Sequence, residues 1–104
     1  MPYIVQGQDR RISIDSIIRA VADHFNLTAT QIKQKTNARQ ISYPRQVAMY
    51  LAKDLTPASL PEIGRAFGGK HHTTVLHSIS KIETLRHTDV DLNKLIHRLS
   101  DSIH

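Results

Sequence analysis

Apolar residues recur at helical spacing along most of this 104-residue chain, and no stretch alternates in the manner of a β-strand. The clearest series follows Ser13, a residue type that caps helices. Its apolar positions are Ile14, Ile17, Ile18, Val21, Ala22 and Phe25. They fall at i, i+3, i+4, i+7, i+8 and i+11, which is one face of a helix. The pattern therefore predicts a first amphipathic helix that begins after Ser13.

The next two helices are predicted from caps and from a proline. Thr28 and Gln31 have the spacing of a capping box, so a short second helix is expected over residues 29–35. Pro44 is predicted to be the first residue of a third helix that ends near Leu55. This helix has the widest apolar stripe in the chain and is expected to be central. The polar, basic stretch before it is expected to be a loop.

The stretch 59–85 predicts two helices joined by a tight turn. Ser59 and Glu62 have capping-box spacing, and Gly68-Gly69 supplies the left-handed conformation that often ends a helix. A second helix should begin near His72 with a polar first turn that lacks carboxylates. Its inner side is expected to hold Val75, Leu76, Ile79, Ile82 and Leu85. A short helix, a glycine turn and a second helix with a polar start are typical of a helix-turn-helix.

A last amphipathic helix should close the core. Thr88 and Asp91 have capping spacing at its start. Its apolar positions are Leu92, Leu95, Ile96, Leu99 and Ile103. The fold prediction is an all-α, six-helix bundle over residues 12–104. Residues 1–11 show no helical period and are interpreted as a flexible arm or a linker remnant.

Charge points to a polyanionic partner. The formal net charge is +5 and the pI is near 9.9. The distribution of charged residues along the sequence is more informative than the net charge. No acidic residue lies between Asp23 and Asp54 or between Arg65 and Lys81, while both stretches hold several cations. A merely solvated face would mix both signs. These observations favour a nucleic-acid partner.

Other classes of function find little support. The chain has no cysteine and no apolar run near the roughly 20 residues of a membrane span. His71, His72 and His77 do not form a metal-binding spacing on one helix, and no phosphate-binding glycine loop is present. We therefore expect no enzyme activity, no cofactor and no metal. We expect a cytoplasmic protein that is monomeric as an isolated domain.

The segments P-R-Q-V-A-M (residues 44–49), S-L-P-E-I-G (59–64) and F-G-G-K-H-H-T-T-V-L-H (67–77) together resemble the C-terminal DNA-binding domain of the bacterial replication initiator DnaA. The resemblance extends over about residues 12–99. It implies a six-helix fold related to that of the Trp repressor. It also implies sequence-specific binding to double-stranded DNA boxes such as those at a replication origin.

The resemblance also implies roles for single residues, each carried over by its position in these segments. The residues implied to contact bases in the major groove are His71, His72, Thr73, Thr74, Leu60 and Pro61, the last two through thymine methyl groups. Those implied to contact phosphates are Arg45, Gln46, Lys53, Lys70 and His77. Arg39 and Asn37 would lie near the adjacent minor groove. Because Arg45 lies off the apolar stripe, we expect it to be free to meet a ligand, and its loss should barely change thermal stability.

The sequence departs from the family at two of these positions. The family usually has Arg-Asp where Lys70-His71 stands, and an arginine where Asn37 stands. An aspartate accepts a hydrogen bond from a cytosine amino group, whereas a charged histidine only donates. Two alternatives stay open beside the origin-binding interpretation. The chain could be a stand-alone DNA-binding regulator with altered site preference, or a protein-interaction module that has lost DNA binding.

Overall fold

The computed structural model describes residues 12–103, which form six α-helices and no strand. The helices are α1 (Ile14–His24), α2 (Ala29–Lys33), α3 (Arg39–Leu55), α4 (Leu60–Ala66), α5 (His72–Leu85) and α6 (Val90–Ile103). Over this range the all-α, six-helix prediction is confirmed. The predicted N-terminal arm (residues 1–11) and His104 lie outside the described residues.

Side-chain caps fix where several helices begin. Ser13 caps α1 as expected. Both predicted capping boxes form: the Gln31 side chain accepts from the Thr28 N–H at 2.8 Å, and the Glu62 carboxylate accepts from the Ser59 N–H at 2.8 Å. These reciprocal bonds satisfy backbone donors that have no partner inside the helix. The starts of α1, α2 and α4 are therefore set locally by the sequence.

The start of α6 differs from the prediction. Asp89, not Thr88, is the cap, because its Oδ1 accepts from the Leu92 N–H at 3.0 Å. The Thr88 hydroxyl instead donates to the carbonyl of Leu85 at the end of the preceding helix, at 3.3 Å. Thr88 is therefore occupied with ending α5.

The central helix α3 contacts each of the other five, and its largest contact is with α5. Its inner face is fully buried: Val47, Ala48, Met49, Leu51 and Ala52 are all 0% exposed. The largest buried side chains of the other helices, among them Ile17, Ile63, Phe67 and Ile82, pack into the same core. The third helix is thus the central one, as its wide apolar stripe indicated.

The prediction that α3 begins at Pro44 is wrong, since the helix begins at Arg39. The Ala38 carbonyl accepts from the Ile41 N–H at 2.9 Å, which closes the first turn. Pro44 lies inside the helix and has no N–H to donate to the carbonyl of Gln40, which is an exposed residue. Burial of Ile41 and Pro44 on the core side holds this opening turn in place.

Candidate nucleic-acid interface

The turn between α4 and α5 is built around one carbonyl. Gly68 and Gly69 have positive φ angles of 85° and 83°, as predicted for a helix stop. This conformation turns the N–H groups of Gly69 and Lys70 back onto the carbonyl of Gly64, at 3.0 and 2.8 Å. These two bonds therefore fix how the two helices of the helix-turn-helix are placed relative to each other.

Gly64 lies where that approach is closest. A Cβ atom at this position would be 2.1 Å from the Lys70 carbonyl oxygen, well inside van der Waals contact. Gly64 is also buried in the core side of α4. Only glycine lets the turn fold back onto α4 at this point.

The N-cap of α5 is His71, whose backbone is extended (φ −67°, ψ 146°). Its Nδ1 accepts from the backbone N–H of Thr73 at 3.3 Å and lies 2.8 Å from the Thr73 Oγ1. The ring also stacks on His72, with centroids 4.4 Å apart and planes inclined at 30°. Two contacts therefore fix the orientation of the His71 imidazole.

The structure exposes most of the α5 residues that the resemblance singles out. The exposed ones are His71, His72, Thr73, Thr74 and His77. The adjoining start of α4 contributes Pro61, which is exposed, and Leu60, which is half-buried and packs against the core. Lys53, near the end of α3, is also exposed. One side of the helix-turn-helix therefore presents short polar side chains and cations to solvent.

A cleft of about 320 Å³ separates the start of α5 from the loop before α3. It is lined by Lys35, Thr36, Asn37, Arg45, Lys70 and Thr74. None of these six residues is acidic, and three carry a positive charge. The cleft therefore brings Asn37, Arg45, Lys70 and Thr74 together.

Arg45 is not a free surface cation, and the prediction that it is free to meet a ligand is wrong. The residue is only 7% exposed. Its Nη1 donates to the carbonyl of Gln34 at 3.0 Å and its Nη2 to the carbonyl of Thr36 at 2.8 Å. Burial lowers the pKa of the guanidinium from its usual value. Arg45 therefore holds the loop that forms one wall of the cleft.

Lys70 has a similar role on the other wall. Its Nζ donates to the carbonyls of Lys33 and Phe67, at 3.0 and 2.9 Å. Desolvation lowers the pKa of the amine, and the positive charges of Arg45 and Lys35 lower it further. A lysine ammonium has three donors, so one N–H of Lys70 remains for a further acceptor.

Arg39 and Gln46 lie differently from what was expected. Arg39 is the first residue of α3 and not part of a loop, and its guanidinium lies 5.4 Å from the centre of the Tyr43 ring. Gln46 is half-buried, and its Oε1 has no hydrogen-bond partner among residues 12–103. A buried carbonyl oxygen of this kind is costly unless a partner reaches it.

Sequence reasoning missed two cleft residues, Lys35 and Thr36, and misplaced another side chain. Lys35 lines the cleft, and the only sequence signal for it was its position in the stretch without acids. Leu76 was predicted on the inner side of α5, but it is 46% exposed. It lies four residues after His72, so it shares the outer face of α5 with that histidine.

The far end of α5 is tied to its neighbours by a polar network. The Tyr50 hydroxyl of α3 donates to Glu83 at 2.8 Å and accepts from Arg86 at 2.5 Å. Arg86 also donates to Asn93 of α6 at 2.8 Å. Burial and the bond to Glu83 raise the pKa of Tyr50. The helix whose N-terminal turn is exposed is therefore anchored at its C-terminal end.

A model of the family described as "Bacterial dnaA protein helix-turn-helix" matches residues 14–82, which include α1 to α4 and most of α5. The chain belongs to the DnaA helix-turn-helix family. The match contains the whole cleft and the turn around Gly64. The family predicted from the three sequence segments is thus confirmed.

Several replication initiators are similar to this chain. It is 52% identical over 89 residues to the chromosomal replication initiator protein DnaA of Cereibacter sphaeroides, covering 86% of this chain and 20% of that protein. The DnaA of Bartonella quintana is 54% identical over 88 residues (85% and 18%). That of Burkholderia multivorans is 47% identical over 96 residues (92% and 18%). The chain therefore spans about a fifth of the length of these relatives.

Solved structures give the same assignment. A crystal structure of a DNA replication initiation factor superposes with a TM-score of 0.76 at 28% identity, covering 96% of this chain and 31% of that one. A structure of the replication initiator DnaA bound to AMPPCP and single-stranded DNA superposes with a TM-score of 0.70 at 30% identity (95% and 31%). The helix-turn-helix fold of the family is thus the fold of this chain.

Residues 12–103 hold neither a metal-ligand cluster nor a membrane-spanning helix. No group of three or more histidine, aspartate or glutamate side chains is arranged to hold a metal ion there. No helix in that range is long and apolar enough to cross a membrane.

Proposed function

We propose that this chain binds double-stranded DNA in a sequence-specific manner through α5 and the adjoining cleft. The observation that carries the proposal is the exposed, carboxylate-free first turn of α5 beside a cleft lined by Lys35, Arg45 and Lys70. Cations beside a protruding helix start suit a major groove flanked by phosphates. In a protein like the chromosomal initiators that resemble it, such a domain would attach the initiator to DNA in the bacterial nucleoid.

The proposed contacts divide by side-chain length. His72, Thr73 and Thr74 are short and lie on the first turn of α5, so they are assigned to base edges. Leu60 and Pro61 are assigned to thymine methyl groups. Long or exposed polar side chains are assigned to phosphates: Lys53, Gln46, His77 and the remaining N–H of Lys70. Arg39 and Asn37 are assigned to the adjacent minor groove.

Arg45 takes a changed role in this proposal. Because both of its terminal nitrogens hold loop carbonyls, it positions the cleft wall and adds to the positive potential. Its contribution to phosphate binding is thus mainly indirect. The proposal includes no catalytic step and no cofactor.

The test is the salt dependence of binding, measured by fluorescence anisotropy on a duplex obtained by unbiased selection with the purified chain. Lys53 and Lys70, which are assigned to phosphates, act together with Arg39 at the minor groove and Lys35 in the cleft. These four cations would neutralise about four phosphates, which gives a slope of log Kobs against log salt of roughly −3 to −4. Lys53→Ala should make the slope less negative by about 0.9. Lys94→Ala, an exposed lysine on α6 away from the cleft, is the matched control and should leave the slope unchanged. A slope near zero would rule out the DNA function.

A further inference from the structure

The cap of α5 determines which ring nitrogen of His71 carries the proton. The backbone N–H of Thr73 points at Nδ1 across 3.3 Å. A nitrogen that accepts from an N–H has its lone pair free and carries no hydrogen. In neutral His71 the hydrogen therefore lies on Nε2, and the Thr73 hydroxyl, 2.8 Å from Nδ1, is placed as a second donor to the same nitrogen.

The other ring nitrogen of His71, Nε2, is not used by the cap. His71 is exposed, and its Nε2 has no hydrogen-bond partner among residues 12–103. The cap and the stacking on His72 both restrict rotation of the ring, so the direction of the Nε2–H bond is fixed before any ligand arrives. A donor held in advance loses little conformational freedom on binding.

We propose that His71 selects DNA sequence as a hydrogen-bond donor through Nε2–H, and that capping of α5 by Nδ1 fixes this polarity. The inference rests on the proposed function, since it names the base chemistry that the same surface accepts. In the major groove guanine presents N7 and O6, adenine presents N7 and thymine presents O4 as acceptors, while cytosine presents only the N4 amino donor. His71 therefore favours a base with an acceptor, above all guanine or thymine, and disfavours cytosine.

Three side chains at this position separate the cap from the base contact. Aspartate and serine both cap helices well. In His71→Asp and His71→Ser, α5 should therefore begin at the same residue as in the wild type. Aspartate presents only acceptors, and serine is too short to extend as far as an imidazole Nε2. The wild type and both variants thus share the cap and differ in what they offer to DNA.

The first measurement concerns the free protein. A long-range ¹H–¹⁵N NMR spectrum at mildly alkaline pH, where histidine is neutral, distinguishes the two tautomers directly. The expected result is an unprotonated Nδ1 and a protonated Nε2 for His71. A protonated Nδ1, which would donate to the Thr73 hydroxyl instead, would overturn the inference whatever the DNA results.

The second measurement is binding to the selected duplex and to versions with all four base pairs at each position. At one position the wild type should bind the cytosine version about tenfold more weakly than its preferred version, the scale of a lost base contact. His71→Asp should reverse that order and favour cytosine at the same position. His71→Ser should bind all four versions of that position within about twofold while its Tm stays close to that of the wild type.

The outcomes separate this inference from the function it builds on. If the wild type binds no duplex at low salt, the proposed function fails. If the wild type binds its duplex with a clear preference, but both variants keep the same preference at every position, DNA binding stands and the role of His71 as a base-selecting donor is refuted. If Tm falls in both variants, Asn at position 71, which also caps helices, repeats the comparison.

Discussion

Replacing Arg45 by alanine should destabilise the fold as well as weaken DNA binding. The side chain is 7% exposed and makes two hydrogen bonds to carbonyls of the loop between α2 and α3. Alanine would remove both donors and leave the Gln34 and Thr36 carbonyls to find water. It would also leave a cavity beside the cleft.

The size of this effect follows from the contacts. Hydrogen bonds from a charged donor contribute about 1.5–3 kcal/mol each, and ordinary ones about 1 kcal/mol. Burial lowers the pKa of Arg45, so the folded state also bears a cost for holding this charge. We therefore use the figure of about 1 kcal/mol for each bond. We expect a net loss of about 2 kcal/mol in the free energy of unfolding for the two bonds. In a domain of this size that lowers Tm by roughly 8–16 °C.

The assay is thermal and urea unfolding followed by circular dichroism, run beside DNA binding. Lys53→Ala is the matched control, because Lys53 is an exposed cation on the same helix. It should weaken binding while Tm changes by less than about 4 °C, as expected for a surface substitution of about ±0.5 kcal/mol. If Arg45→Ala also leaves Tm within that range, the two carbonyl bonds do not stabilise the loop, and the structural role assigned to Arg45 is wrong.

Three further substitutions test the helix-turn-helix itself. Gly64→Ala should destabilise the fold by at least about 2 kcal/mol in urea unfolding, because the new Cβ would lie 2.1 Å from the Lys70 carbonyl oxygen. The Cβ of Gly69→Ala would meet nothing within 4 Å, but the φ at this position is +83°. This second substitution should therefore cost only about 1–2 kcal/mol in the same assay. The pKa of Glu62 is lowered, chiefly by the bond from the Ser59 N–H. The ionised Glu62 carboxylate therefore stabilises the fold fully above the pKa of an unfolded glutamate. This stabilisation is lost as pH falls through the pKa of Glu62 in the folded state. Glu62→Gln keeps the capping geometry but has no carboxylate to protonate, so its stability should fall less than that of the wild type as pH is lowered. If the two proteins lose stability equally at acid pH, the ionised Glu62 carboxylate does not stabilise the cap.

Local signals in the sequence were enough to predict where most helices begin. Ser13, Thr28 and Ser59 each cap a helix by bonds to residues three positions away, so nothing distant is needed to place them. The glycine turn is local in the same sense, because positive φ at Gly68 and Gly69 is a property of those residues. The helix-turn-helix could therefore be predicted from sequence.

Two of the errors arose where distant contacts decide the outcome, whereas the error at Leu76 was local. Proline is usually found in a first helical turn, yet α3 extends from Pro44 back to Arg39 and buries Ile41 in the added turn. Arg45 lies beside the apolar stripe in sequence, but its partners are the carbonyls of residues 34 and 36, which no periodicity links to it. Leu76 was placed inside because it is apolar, although its helical position turns it outward.

The same distant contacts suggest why the cleft has a defined shape. Lys70 holds the carbonyl of Lys33 from the helix-turn-helix side, and Arg45 holds those of Gln34 and Thr36 from α3. Three carbonyls from one short segment thus face two cations, and this positions Asn37 opposite Thr74 across the cleft. Cations of this kind are ordinarily assigned to phosphates on charge alone. Here they first fix the wall that DNA would meet, so a charge-removing substitution at either residue changes the shape of the interface as well as its potential.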